Sequence, residues 1–116
     1  MTEAVPDQRL FQELWISFVA LIRSYVAGYD LGRATGHTLL EANEADLSIQ
    51  SPRKRLDVRF DSRNGKGVWA VSVERELENG NFQFARDSQV RLSDRRGTVD
   101  MEIAAEALTA KVLDEE

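Results

Sequence analysis

The sequence predicts an α+β domain: a five-stranded antiparallel β-meander with an N-terminal and a C-terminal helix packed on one face. Three observations predict it. Apolar residues recur at spacings of three and four near each end of the chain. They alternate with polar residues through the middle. Turn-forming pairs and loops separate the alternating runs. The 116 residues suit a single domain spanning 1–116.

The first element is a helix from Asp7 to Tyr29. Asp7 can accept from the free amides of the first turn and serves as its N-cap. Phe11, Trp15, Phe18, Ile22, Tyr25 and Tyr29 fall on one face. Leu10, Leu14, Val19, Leu21 and Val26 widen that face well beyond one stripe. Gly32 and Gly36 end the pattern. One sheet face covers only about half of such a helix, so either the neighbouring chain segments or a second copy covers the rest. This excess makes Phe11, Trp15, Phe18, Ile22 and Tyr25 the candidate interface of a homodimer.

The strands follow. Leu56, Val58 and Phe60 alternate with Arg55, Asp57, Arg59 and Asp61, the period of a half-buried strand. Asn64-Gly65 favours a two-residue hairpin. With Arg63 and Lys66 flanking it, Phe60 faces Trp69, Val58 faces Val71 and Leu56 faces Val73. Asn79-Gly80 marks a second tight turn, pairing Leu77 with Phe82 and Arg75 with Phe84. A loop of Arg86, Asp87 and Ser88 pairs Phe84 with Val90 and Phe82 with Leu92. Upstream, a loop from Ser51 to Lys54 holds Pro52 and pairs Ile49 with Leu56 and Leu47 with Val58. All these pairs place apolar residues on one side; Arg75 is the misfit.

The last element is a helix from Met101 to Leu113, with Asp100 as N-cap and Glu102 in the first turn. Residues 98–103 admit a second reading, in which Val99, Met101 and Ile103 form a sixth strand and the helix starts at Ala104.

Composition excludes several function classes. The chain has no cysteine and one histidine, which removes thiol catalysis, disulfides and multi-histidine metal sites. A net charge of −5 argues against a nucleic-acid binder. Leu14–Tyr29 is shorter than the ~20 residues that span a bilayer and contains Arg23, so no membrane span is expected. No basic leader precedes the first helix, and a cytoplasmic location is the default. No catalytic, cofactor or metal residue is assigned, and a non-enzyme is expected. His37 has no nucleophile or carboxylate at a recognisable spacing. Ser51-Pro52-Arg53-Lys54 has the letters of a serine–lysine nucleophile motif but falls in a hairpin loop rather than on a helix. Glu74, Glu76 and Glu78 are expected on the outer sheet face as solubilising charge rather than as a cation site.

Charge is unevenly placed. Residues 51–66 carry six basic and two acidic side chains; residues 100–116 carry six acidic ones and Lys111. Two function hypotheses follow. The first is a protein-interaction module that pairs with itself, or another protein, through its N-terminal helix. The second is a binder of a small anionic ligand at Arg53, Lys54, Arg55 and Arg59, with Arg91, Arg95 and Arg96 as possible additions.

Overall fold

A computed structural model describes residues 6–31, 38–94 and 96–113. Its order is α1 (Pro6–Leu31), β1 (Leu39–Ala42), β2 (Asp46–Gln50), β3 (Lys54–Asp61), β4 (Lys66–Val73), β5 (Glu76–Phe84), β6 (Val90–Leu92), β7 (Thr98–Val99) and α2 (Met101–Leu113). The strands form one antiparallel sheet in sequence order. The meander is therefore present, with seven strands rather than five. The additions are the short edge strands β1 and β7, each too brief to carry a readable alternation.

Both helices pack on one face of the sheet. Phe11, Trp15, Phe18, Ile22 and Val26 of α1 are buried there, with Ala104, Ala105, Leu108, Val112 and Leu113 of α2. An aromatic cluster joins α1 to the sheet. Trp15 stacks on Phe60 at 4.9 Å, and Phe18 meets the edge of Phe84 at 5.4 Å. Such pairs contribute about 0.5–1.5 kcal/mol each beyond the area they bury. The indole Nε1 of Trp15 donates to the Asn43 carbonyl at 2.9 Å, which ties α1 to the β1–β2 turn.

Gln8–Tyr29 is long and apolar enough by composition to cross a membrane, which corrects the expectation that no segment is. Its largest side chains instead pack against the chain's own sheet. The helix begins at Pro6, whose fixed φ suits a first helical turn. Asp7 therefore falls at the second position of the helix, later than an N-cap position. Gly32, Gly36 and His37 fall outside the described residues.

The β2–β3 and β5–β6 registers are those expected: Leu47 opposite Val58, Ile49 opposite Leu56, Phe82 opposite Leu92, Phe84 opposite Val90. The two asparagine-glycine pairs behave otherwise. Asn64-Gly65 ends a four-residue loop, 62–65, and not a two-residue turn. Asp61 Oδ1 accepts from the Arg63 amide at 2.9 Å, Asn64 Oδ1 accepts from the Lys66 amide at 3.0 Å, and Gly65 takes φ +72°. These bonds stabilise the longer loop. The β3–β4 register consequently slips by two residues, so that Phe60 faces Gly67, Val58 faces Trp69 and Leu56 faces Val71. A slip of two preserves the face of every side chain, and Phe60 and Trp69 both remain in the core.

Asn79-Gly80 is not a turn. It lies inside β5, and the reversal occurs at Glu74-Arg75, where Glu74 has φ +55°. Leu77 thereby moves to the face opposite Phe82 and is 64% exposed. Arg75, the misfit of the expected register, sits in the turn. Glu76 and Glu78 move to the helix side, where Glu78 Oε2 lies 3.7 Å from Lys111 Nζ. At the C-terminal end, α2 starts at Met101 as first expected, while Thr98–Val99 forms the extra strand. The Asp100 carboxylate accepts from Gln89 Nε2 at 2.7 Å.

Candidate surface on the free face of the sheet

The sheet face away from the helices is a grid whose rows follow from the register. One row reads Gln50, Arg55, Ser72, Leu77. The next reads Ser48, Asp57, Ala70, Asn79. The third reads Asp46, Arg59, Val68, Asn81. The last reads Asp61, Lys66, Gln83, Arg91. Two shallow, open troughs cross this grid. One, of about 840 Å³, has Val68 and Ala70 on its floor between Arg55, Asp57, Arg59 and Asn79. The other, of about 680 Å³, has Gly67 and Val68 between Arg59, Asp61, Lys66, Gln83 and Arg91. Small residues in the centre and long polar ones around it make the depressions.

Most charges on this face are paired. Arg55 Nε lies 3.0 Å from Asp57 Oδ1, Arg59 Nε 3.2 Å from Asp46 Oδ1, and Arg63 Nε 3.1 Å from Asp61 Oδ1. The hydrogen bonds from the Arg63 side chain and amide hold the Asp61 carboxyl below its ordinary range, and the same contact raises Arg63. Lys66 and Arg91 are different. Both are exposed and in the last row, and neither side chain has an ion-pair partner among the described residues. Two strand spacings, about 10 Å, separate them across Gln83.

The four anion candidates do not form one site. Arg55 and Arg59 share the free face, about 13 Å apart along β3 by the strand rise. Lys54 falls on the helix side of the same strand, opposite Val73, and is half-buried. Arg53 is exposed in the loop before β3. Arg91 belongs to the trough; Arg96 is exposed in the β6–β7 connection, and Arg95 lies outside the described residues. Lys66 lies in the basic segment 51–66 but is not among the four candidates. The signal that would have found it is its place opposite Gln83, which the misplaced turn at Asn79-Gly80 hid.

The interface candidates are divided too. Phe11, Trp15, Phe18 and Ile22 are buried inside the chain and offer nothing to a second copy. Tyr25 is half-buried beside α2, and its hydroxyl is pushed up first by desolvation, then by Glu106 and Glu102.

The Ser51–Lys54 segment is a hairpin turn: Ser51 Oγ accepts from the Lys54 amide at 3.2 Å. Among the described residues no group of three histidine or carboxylate side chains could hold a metal ion. No known protein family matches the chain, and no curated protein or solved structure matches it.

Proposed function

We propose that this chain is a non-enzymatic binding module whose working surface is the free face of the sheet, and that its ligand is a small multivalent anion. The observation that carries this reading is the row Lys66–Gln83–Arg91. Two exposed cations, neither in an ion pair among the described residues, flank an amide beside a trough with a small-residue floor, and the carboxylate across from Lys66, Asp61, is already held by Arg63. Arg59 stands one row away, and its tie to Asp46 is exposed and therefore weak. A phosphate or carboxylate seated over Gly67 and Val68 gains charge-assisted hydrogen bonds from Lys66 and Arg91. The net charge of −5 provides no long-range attraction for an anion. Recognition is local, within roughly the 8 Å over which charges act at physiological salt.

The test is a titration of the ¹⁵N-labelled chain with pyrophosphate and with citrate. The amide resonances of Lys66, Gly67, Gln83 and Arg91 are expected to shift, and Lys66→Glu with Arg91→Glu to abolish the shifts. Arg53→Ala, away from the trough, is expected to leave them unchanged. Shifts spread evenly over every basic segment would defeat the reading. Which of the two anions binds more tightly separates phosphate from carboxylate recognition.

A further inference from the structure

We infer that α1 carries a second, self-complementary seam on its solvent side, and that its occupant is the same seam of a second copy, running antiparallel. The inference is independent of the anion site, which lies on the far side of the sheet.

Two registers run back to back along α1. Phe11, Trp15, Phe18 and Ile22 face the core. Glu13, Ile16, Ala20 and Arg23 recur at spacings of three, four and three on the opposite side, and all four are exposed. This is the spacing of a helix-pairing seam. Ile16 is 60% exposed, an uncovered branched side chain midway along the solvent side of the helix, between exposed Glu13 and Ala20.

The charges set the partner and the direction. In an antiparallel pair with its two-fold axis at residue 18, each Ile16 packs on the partner's Ala20. Each Glu13 then meets the partner's Arg23, so the apolar centre is closed at both ends by opposite charges. A parallel pair would place Glu13 on Glu13 and Arg23 on Arg23, two repulsions. Among the described residues, the one ion pair of Glu13 is an exposed contact with Arg9 at 3.6 Å, and Arg23 has none. The twofold arrangement makes one patch complementary to itself, as isologous dimers require. One narrow seam per chain is small beside the roughly 1,000 Å² of a stable interface, so the dimer is expected to be reversible and to grow with concentration.

Sedimentation velocity over a concentration series tests this, with Glu13→Arg, Arg23→Glu and the double variant alongside the wild type. The wild type is expected to move from monomer to dimer as concentration rises. Each single reversal is expected to lose the dimer, and the double variant, which restores opposite charges, to regain it. Direction is read separately. A spin label at Gly28→Cys is unique in a chain without cysteine, and a Cβ there meets nothing within 4 Å. By the helix rise, the antiparallel pair sets the two labelled positions about 30 Å apart along the axis. A wild type that stays monomeric at millimolar concentration overturns the inference. So do single reversals that dimerise like the wild type, a double variant that does not recover, or labels within helix-to-helix distance of each other.

Discussion

Trp69 lies directly opposite Gly80 in the β4–β5 ladder, and its indole occupies the space a side chain at 80 would need. A Cβ there would come within 2.6 Å of Trp69 Cζ2 and 2.5 Å of Ser93 Oγ. Ser93 is not free to withdraw, because its hydroxyl accepts from the Asn81 amide at 2.9 Å. Gly80→Ala is therefore expected to destabilise the chain by about 1–3 kcal/mol, the cost of overpacking a filled core. Urea unfolding checks it; a variant as stable as the wild type would mean the indole shifts without resistance.

The contact between Trp15 and Asn43 gives a second expectation. Trp15→Phe keeps an aromatic ring against Phe60 but deletes the donor to the Asn43 carbonyl. The loss is expected at about 1–3 kcal/mol. Phe60→Ala, which empties the centre of the cluster, should cost more, about 3–5 kcal/mol. Equal denaturation midpoints for the two variants would contradict this ordering.

The same glycines show what the sequence made legible. Burial parity was readable from β2 to β4, because alternation alone decides which side of a strand is apolar. Trp69 and Phe60 share a face for that reason, although their register is displaced. Turn positions were less readable. Asn-Gly is a strong local hairpin signal, yet at 79–80 tertiary packing overrides it: Gly80 is small because Trp69 lies across it, as Gly67 is small because Phe82 does. That contact joins residues eleven positions apart, and no local pattern encodes it. The misplaced turn put Glu76 and Glu78 on the wrong face and concealed the row containing Lys66, Gln83 and Arg91. On α1, the core face was legible from its spacing. The spacing does not encode what covers that face: the sheet buries Phe11, Trp15, Phe18 and Ile22 and leaves none of them for a dimer.

Asp61 and Arg63 predict a pH dependence. Their contact holds the Asp61 carboxyl below its ordinary value of 3.8. A lowered folded-state pKa contributes stability at neutral pH, and that contribution is lost as pH falls through the folded-state value. Arg63→Ala is thus expected to raise the Asp61 titration midpoint toward 3.8. The stabilities of variant and wild type should differ at neutral pH and converge in acid. Carboxyl NMR titration and pH-dependent unfolding measure both; a midpoint unmoved by the substitution would refute the assignment.

Lys111 is the one cation drawn into the edge of the core among the described residues of α2. Its ammonium lies 2.8 Å from Asp94 Oδ2, 3.7 Å from Glu78 Oε2 and 4.5 Å from the centroid of the Trp69 ring. The side chain is only 19% exposed, so these contacts are less screened than the arginine pairs on the free face. Lys111→Met keeps the aliphatic stem against the indole and removes the charge. It is expected to cost about 1–2 kcal/mol. Arginine at 111 keeps a cation for Asp94 and should recover part of the loss. Because Asp94 and Lys111 touch, the effects of Lys111→Met and Asp94→Asn should be non-additive, the double variant losing less than the two singles together. Additive losses would show that the contact contributes nothing and that Lys111 acts only through its stem.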